Sequence, residues 1–275
     1  MKVIGIDVGA TKISAGLVNN GKLIKILKTD TEAHKSQNEI IKNITKLIDQ
    51  LIDNSVKGIG LGVPAIIDLK KGMAYEAANI PSWKKVPLKQ ILEKKYRIPV
   101  KINNDAKCFA LGENKFGEGK GYDSMAGITI GTGFGTGIII EGKIYCGYNC
   151  GAGEFGQIKF KDKDIDFYCS GEFFLKKYKL KGEQLQERAE RKDQKALKIY
   201  REFGDNLGKA LSTVINSIDP ELIVLGGSVS KAYPFFKEAM LSSLKKNIYK
   251  RTFSRLKIKV SKNKEISVLG AASLI

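Results

Sequence analysis

The sequence Ile4-Gly5-Ile6-Asp7-Val8-Gly9-Ala10-Thr11-Lys12 is the most informative stretch of the chain, because it recurs in altered form as Ala126-Gly127-Ile128-Thr129-Ile130-Gly131-Thr132-Gly133. The correspondence continues where Gly21-Lys22-Leu23 aligns with Gly142-Lys143-Ile144. Each copy predicts three strands joined by two tight turns. The glycines let the backbone approach a ligand closely enough for its N–H groups to bind phosphate oxygens. The repeat therefore predicts two related domains with a nucleoside triphosphate in the cleft between them.

The length of the chain agrees with two domains, because 275 residues can bury two moderate cores. We expect an N-terminal α/β domain over residues 1–105, completed by a C-terminal helix near 268–275, and a second α/β domain over 106–267. No apolar run approaches the roughly 20 residues of a membrane span. Because the first strand begins at the N-terminus, the sequence predicts no signal peptide and a cytoplasmic location.

The charge of the chain is strongly basic, with a formal net charge of +18. The 41 lysines far outnumber the 6 arginines and are spread along the whole chain, whereas nucleic-acid recognition usually favours clustered arginine. A solvated, lysine-rich surface is the favoured interpretation, and no nucleic-acid or membrane partner is predicted.

The cysteines show neither a disulfide framework nor CxxC spacing, and the only histidine is His34. Cys146, Cys150 and Cys169 could together ligate zinc, but no fourth ligand is visible, so no zinc site is predicted. Small buried side chains are the favoured role for these residues.

Local patterns predict the remaining elements. Ser36-Gln37-Asn38-Glu39 matches a capping box ahead of an amphipathic helix, and 88–96 is predicted to be helical. Residues 181–217 form a helical region in which Gly204 and Gly208 allow another backbone to cross closely.

Four segments stand at predicted strand ends, where ligands gather in α/β folds. They are residues 7–12, 103–105, 131–137 and 226–228. The glycine-rich segment 131–137 lacks the lysine of a Walker A loop and is a turn inside a hairpin that can surround phosphates. A glycine-rich turn without a ligand is the alternative for either hairpin alone.

Two carboxylates have distinct predicted roles. Asp7 ends a buried strand, which is costly unless a cation such as ATP-bound magnesium is nearby. Asp105 follows a strand and is placed to accept the proton of an attacking hydroxyl in phosphoryl transfer. Its alternative role is the N-cap of a helix that starts at Ala106.

Together these motifs resemble the ROK sugar kinases of the actin-like, hexokinase-like ATPase superfamily. The resemblance rests on residues 7–12, Gly62-Val63-Pro64, Asn103-Asn104-Asp105-Ala106, Gly131 to Gly137, Gly153-Glu154-Phe155-Gly156 and Val224-Leu225-Gly226-Gly227-Ser228, and it covers essentially the whole chain. It implies two ribonuclease-H-like domains that close on ATP and a sugar at an interdomain active-site cleft, and a homodimer.

The resemblance also implies roles for individual residues. Asp105 would be the general base, and Asp7 would neighbour magnesium through water. The implied sugar contacts are Asn79, Asn104 and Glu154. The implied neighbours of the ATP phosphates and adenosine are Asp7, Gly9, Thr11, Lys12, Gly131, Thr132, Gly133, Gly227 and Ser228.

Two departures from the family pattern concern the sugar and zinc sites. Gln157 stands where relatives place a sugar-contacting histidine, and it can donate and accept hydrogen bonds at similar reach. The family's CxCGxxGC zinc loop is replaced by Tyr168-Cys169-Ser170-Gly171-Glu172-Phe173, in which Glu172 is a candidate second acidic sugar contact.

The leading prediction is an ATP-dependent, magnesium-requiring hexose kinase of glucokinase type. The alternatives are a kinase for N-acetylmannosamine, N-acetylglucosamine or fructose, and a non-catalytic sugar or nucleotide sensor. A sugar-responsive repressor is disfavoured, because the strand containing Asp7 begins too early to leave room for an N-terminal helix-turn-helix.

Overall fold

A computed structural model describes all residues 1–275 and contains strands of two to nine residues. In chain order the strands are β1 (Lys2–Val8), β2 (Lys12–Asn19), β3 (Lys22–Asp30), β4 (Val56–Val63), β5 (Ile66–Asp68), β6 (Met73–Tyr75), β7 (Lys85–Val86), β8 (Val100–Asn104), β9 (Met125–Ile130), β10 (Phe134–Ile140), β11 (Lys143–Tyr145), β12 (Lys159–Phe160), β13 (Lys163–Asp164), β14 (Leu222–Gly226) and β15 (Lys257–Val260).

The α-helices are α1 (Gln37–Asp49), α2 (Leu88–Tyr96), α3 (Asp105–Phe116), α4 (Ile165–Tyr168), α5 (Gly182–Glu190), α6 (Gln194–Ile218), α7 (Tyr233–Asn247), α8 (Lys250–Arg255) and α9 (Ile266–Ala272). Single turns of 3₁₀-helix cover Phe155–Gln157 and Val229–Ala232, and a π-helical turn covers Phe173–Lys177. None of the helices combines the length and apolar character that crossing a bilayer requires.

Two five-stranded sheets repeat one topology. The first has the order β3-β2-β1-β4-β8 and the second has the order β11-β10-β9-β14-β15. In the first sheet β1, β2 and β3 pair antiparallel, while β4 and β8 extend it in parallel. In the second, β14 lies parallel to both β9 and β15. The repeated hairpin predicted from the sequence is therefore confirmed, as is the α/β class.

Local signals fixed several elements closely. The Ser36 side chain accepts the N–H of Glu39, and the Glu39 carboxylate accepts the N–H of Ser36, so the predicted capping box precedes α1. The predicted helix over residues 88–96 coincides with α2. The predicted helical region 181–217 is divided into α5 and α6 by the turn at residues 191–193.

Glycines let the last helix pack directly on the first sheet. A Cβ at Gly5 would lie 2.1 Å from the carbonyl oxygen of Val268, and one at Gly60 would lie 1.8 Å from that of Ala271. Gly112 in α3 similarly faces the carbonyl oxygen of Ile266 at 2.2 Å. These contacts place α9 against both β1 and α3, so backbone packs on backbone without side chains between them.

The second core is rich in aromatic side chains from α6, α7 and the π-helical turn. Phe174 and Phe203 have ring centroids 4.9 Å apart, and Phe203 meets Phe236 edge to face at 5.2 Å. The predicted close crossing at Gly204 and Gly208 is confirmed, because Cβ atoms there would lie 2.5 and 2.4 Å from carbonyl oxygens of α7.

Two compact units divide the chain differently from the expected boundaries. The first contains 1–121, 137–152 and 262–275, and the second contains 122–136 and 153–261. The expected boundary at residue 105 places α3 in the second domain, whereas the structure places it in the first. The physical reason is the glycine contact between α3 and α9, which a strand-end motif at residues 103–105 does not reveal.

Candidate active site

The turn between β1 and β2 is rigid at the backbone. The N–H of Gly9 donates to the carbonyl oxygen of Lys12 at 3.0 Å. Thr31 directly follows β3, and its side chain is fully buried. Its N–H donates to the carbonyl oxygen of Thr11 at 2.9 Å, and its hydroxyl donates to the carbonyl oxygen of Gly9 at 2.6 Å, so it holds the turn in place. Thr11 and Lys12 remain exposed. The predicted phosphate neighbours of the first hairpin therefore stand on one fixed turn.

Asp7 is a carboxyl group of the first unit whose pKa is strongly raised. Its side chain is partly exposed at the end of β1, but burial among its surroundings raises the pKa of Asp7 to about 7, and the negative charges of Asp105 and Glu265 add to this rise. The ammonium group of Lys28 opposes it, although Lys28 is also held by Glu265 at 2.5 Å. A carboxylate that burial and neighbouring negative charge disfavour is stabilised by a cation.

The segment from Asn103 to Asp105 converts β8 into α3. The Asn104 side chain accepts the N–H of Lys107 at 3.2 Å, so Asn104 and not Asp105 is the N-cap. The alternative role given to Asp105 from the sequence is therefore wrong. Asp105 is the first residue of α3, and its Oδ1 accepts the N–H of Ala106 at 2.8 Å. This bond orients a partly exposed carboxylate at the end of the strand.

Asn79 has a left-handed backbone with a φ of 60°, and its side chain is exposed. It lines a shallow cavity of about 680 Å³ together with Thr11, Glu32 and His34. The structure thus brings the predicted sugar residue Asn79 beside the predicted phosphate residue Thr11 in the first unit.

The turn between β9 and β10 is the counterpart of the Gly9–Lys12 turn. The N–H of Gly131 donates to the oxygen of Gly133 at 3.0 Å, and the N–H of Gly171 donates to the oxygen of Gly131 at 2.7 Å. The carboxylate of Asp166 accepts the N–H of Phe134. Burial raises the pKa of Asp166.

Gly227 and Ser228 lie beside this turn. Gly227 has a φ of 86°, and a Cβ there would lie 2.3 Å from the oxygen of Ile130, so glycine is required by both conformation and space. Ser228 lines a cavity of about 290 Å³ whose lining also includes Phe174, Glu187 and Tyr200. Apolar rings and carboxylates suit a flat base and ribose hydroxyls.

Glu154 directly precedes the 3₁₀ turn Phe155–Gln157, and Gln157 is the last residue of that turn. The N–H of Gln157 donates to the carbonyl oxygen of Glu154 at 3.3 Å, and the Glu154 side chain is partly exposed while that of Gln157 is exposed. Gly156 between them packs against the turn's neighbours, because a Cβ there would lie 2.7 Å from the oxygen of Phe134. Glu172 is paired with Lys176 at 2.6 Å and directly follows Gly171.

Sequence reasoning missed the residues that hold the two turns. Thr31 and Asp166 lie 20 and 33 residues after the turns they support, counted from Thr11 and Gly133, and carry no motif that indicates this role. It included Asn103 among the strand-end residues but did not predict that Cys146 and Cys150 converge on its side chain. No group of three or more histidine, cysteine or acidic side chains that could hold a metal ion occurs in the chain.

The residues fit a magnesium nucleotide. A Cβ at Gly131 would have only the Ser228 hydroxyl, 4.0 Å away, as a neighbour, so space stands open over the turn for phosphate oxygens. Asp7 supplies one carboxylate whose charge a cation would stabilise. A single carboxylate is the usual protein share of a magnesium site in which phosphates and water supply the other ligands.

Comparison with known proteins defines the class. The ROK family profile matches residues 3–275, so the chain belongs to the ROK family. A glucokinase of Thermotoga maritima is 30% identical over 84% of this chain and 83% of its own length. A xylose repressor of Caldicellulosiruptor bescii is 29% identical over 99% of this chain and 77% of its own length.

Among solved structures, a ROK family glucokinase from Streptomyces griseus in complex with glucose and AMPPNP superposes with a TM-score of 0.88 at 26% identity. The match covers 100% of this chain and 99% of that chain. The actin-like ATPase fold expected from the resemblance is therefore confirmed.

Proposed function

We propose that this ROK protein is an ATP-dependent sugar kinase that transfers the γ-phosphoryl group of ATP to a hexose hydroxyl, with glucose as the leading substrate. The observation that carries this proposal is the placement of Asp105, a partly exposed carboxylate oriented by Ala106 at the end of β8. The similarity to glucokinases, one of them solved with glucose and AMPPNP, supports the same reaction.

Asp105 acts as the general base in this proposal. Its carboxylate accepts the proton of the attacking sugar hydroxyl, which makes that oxygen a better nucleophile toward the γ-phosphorus. The helix N-terminus at α3 stabilises the ionised carboxylate before the transfer. The N-cap bond of Asn104 fixes the backbone on which Asp105 stands.

The sugar is bound by amide and carboxylate side chains. Asn79 and Asn104 in the first unit, and Glu154, Gln157 and Glu172 in the second, are the proposed hydroxyl contacts. Carboxylates accept two hydroxyl donors at once, while the amides both donate and accept. Because Glu172 also pairs with Lys176, we give it the smaller share of sugar binding.

The nucleotide is bound by the two turns. Backbone N–H groups near Gly9, Thr11 and Lys12, and near Gly131, Thr132 and Gly133, are the proposed phosphate donors. Gly227 and Ser228 border the proposed adenosine cavity. A magnesium ion near Asp7, held through water, would neutralise charge on the phosphates.

The test is ADP release measured across glucose, mannose, fructose, N-acetylglucosamine and N-acetylmannosamine, with and without magnesium. We expect glucose-dependent release in the native protein and a loss of about 10² to 10⁴ in turnover for Asp105→Asn. Asp123→Asn, which changes an exposed aspartate, is the matched control and should keep full turnover. The proposal would be contradicted if none of the sugars in the panel stimulated ADP release, or if Asp105→Asn kept full turnover.

The second candidate is a kinase of broader range that also accepts N-acetylhexosamines or fructose. Gln157, exposed at the end of the 3₁₀ turn, favours it, since a flexible amide holds a hydroxyl less strictly than a histidine ring. Comparable kcat/KM for glucose and at least one other sugar would support this candidate. A sensor without turnover, and the homodimer that the family resemblance implies, remain predictions.

A further inference from the structure

Two cysteines of the first unit converge on a single buried amide. Cys146 follows β11, and Cys150 lies four residues later in the same loop. The sulfur of Cys150 lies 3.3 Å from Oδ1 of Asn103, and that of Cys146 lies 3.8 Å from the same oxygen. The Asn103 amide in turn donates to the sulfur of Cys146 at 3.4 Å. One side chain therefore holds both sulfurs near the same point.

The loop is already folded back on itself. The N–H of Ala152 donates to the carbonyl oxygen of Cys146 at 3.1 Å, which ties the two ends of the loop together. Gly147 and Cys150 both have left-handed backbones, with φ values of 72° and 63°. These two reversals turn Cys150 back toward Cys146, and the two thiols are within hydrogen-bonding reach of each other.

The two thiols differ in reactivity. A hydrogen bond from the Cys150 thiol lowers the pKa of Cys146, assisted by the Asn103 amide and the charge of Lys107, while partial burial opposes the shift. Cys146 is partly exposed, whereas Cys150 is buried. Burial instead raises the pKa of Cys108 and of Cys169, and both are fully buried. Cys146 is thus the accessible nucleophile and Cys150 its neighbour.

We propose that Cys146 and Cys150 form a redox-active pair that closes to a disulfide when a hydroperoxide oxidises Cys146. The Cys146 thiolate attacks one peroxide oxygen, the O–O bond breaks, and a sulfenic acid forms while the leaving oxygen takes a proton to become water. The Cys150 sulfur then attacks the Cys146 sulfur, an S–S bond forms and the S–O bond breaks. Two thiols and one hydrogen peroxide give one disulfide and two waters.

The disulfide acts on the residue next to the cap of α3. Asn103 Oδ1 also accepts the N–H of Asn104 at 2.8 Å, and Asn104 caps the helix that begins with Asp105. Oxidation removes the S–H groups, so Asn103 Oδ1 loses its thiol contacts and keeps only the bond from the N–H of Asn104. The effect on turnover rests on the proposed kinase function, whereas disulfide formation itself does not.

The primary experiment measures the thiols and requires no activity. The reduced full-length protein is treated with one equivalent of hydrogen peroxide, unfolded in an alkylating agent, and analysed by peptide mass. We expect the alkylated thiols to fall from four to two, with a single Cys146–Cys150 linkage. Four remaining thiols, sulfinic acid on Cys146, or a linkage to Cys108 or Cys169 would overturn the proposal.

Two variants make this result specific. Cys146→Ser should form no intramolecular disulfide and should keep Cys150 reduced, because the accessible nucleophile is absent. Cys108→Ala changes a buried thiol outside the pair and should form the Cys146–Cys150 linkage as the native protein does. A thermal melt of each reduced variant verifies folding. Disulfide formation in Cys146→Ser, or its loss in folded Cys108→Ala, would overturn the assignment.

A second measurement follows ADP release in the same samples. We expect oxidation to lower turnover at least about tenfold, dithiothreitol to restore it, and Cys146→Ser to be insensitive to peroxide. If the protein with the Cys146–Cys150 disulfide kept its turnover, the proposed effect of the disulfide on Asp105 would be wrong. If the reduced protein shows no turnover, the proposed kinase function fails, while the thiol analysis still decides whether the pair is redox-active.

Discussion

The two repeated hairpins have the same backbone topology but differ in the side chain at the end of the first strand. Because Gly5 aligns with Gly127, Asp7 of the first hairpin aligns with Thr129 of the second. Asp7 is a carboxylate with a raised pKa, whereas Thr129 is uncharged and donates to the carbonyl oxygen of Gly135 at 3.5 Å.

The turns are also supported by different chemistry. A buried hydroxyl, that of Thr31, holds the first turn, and a carboxylate, that of Asp166, holds the second. The negative charge of the first hairpin is therefore that of Asp7, at the end of the strand that enters the turn. The negative charge at the second hairpin is that of Asp166, whose carboxylate accepts the N–H of Phe134. The duplicated hairpin thus carries a carboxylate at the strand end in one unit and an uncharged hydroxyl at the same position in the other.

Within the two hairpins, the largest effect is expected at the charged position. We expect Asp7→Asn to lower magnesium-dependent turnover by about 10² to 10³, because removing one preorganised electrostatic group typically costs that much. The equivalent change in the second hairpin, Thr129→Ala, should cost less than about tenfold. The measurement is kcat with ATP, sugar and magnesium all at saturating concentrations.

The stability of Asp7→Asn separates function from folding. A folded-state pKa of about 7 lies above the ordinary aspartate value, so the folded state binds more protons between about pH 4 and 7 and loses stability as the pH rises through that window. The asparagine variant should therefore melt no lower than the native protein at pH 8. A lower melting temperature there would show that Asp7 supports the fold.

The next effect concerns Gly5, the glycine in the middle of β1. Gly5→Ala should destabilise the protein by about 3 kcal/mol, because the added methyl group would lie 2.1 Å from the oxygen of Val268 in α9. Denaturant unfolding provides the measurement. Gly182→Ala is the matched control, since a Cβ there meets no atom within 4 Å, and it should not lower stability. Equal stability of both variants would contradict the close packing of α9.

In the second hairpin, substitution of a glycine by alanine should weaken ATP binding and leave the stability of the protein unchanged. At Gly131 a methyl group meets only the Ser228 hydroxyl at 4.0 Å, so Gly131→Ala should fold normally. The same methyl group would occupy the space proposed for phosphate oxygens, at a cost of about 2 kcal/mol, or roughly thirtyfold in the Kd for ATP. Isothermal titration with a nonhydrolysable ATP analogue checks this, and unchanged affinity would remove the turn from the phosphate site.

The smallest expected effect is a pH dependence specific to the first hairpin. Because protons compete with a cation at Asp7, magnesium-dependent nucleotide affinity should tighten about tenfold from pH 6 to pH 8 for a pKa of about 7. Asp7→Asn serves as the reference, since it retains the titration of the nucleotide and lacks that of Asp7. An identical pH dependence in both proteins would exclude Asp7 from the cation site.

Sequence patterns alone were enough to predict the repeated hairpins, the capping box of α1, the bounds of α2 and the crossing at Gly204 and Gly208. These features follow from local causes: periodic apolar residues, side chains that bond to nearby backbone, and glycines that admit a second backbone. The strand-end motifs also indicated which residues to examine for chemistry, because strand ends are recognisable from a short window.

The packing of the folded chain, and not the sequence pattern, reveals which distant residues support those motifs. It placed α3 on α9, gave the cap of α3 to Asn104, put Asp166 behind the second turn and brought Cys146 and Cys150 to Asn103. Each of these contacts, except the cap, joins residues separated by more than thirty positions. Such contacts depend on how whole elements pack, and local periodicity carries no information about the partner that packing will supply.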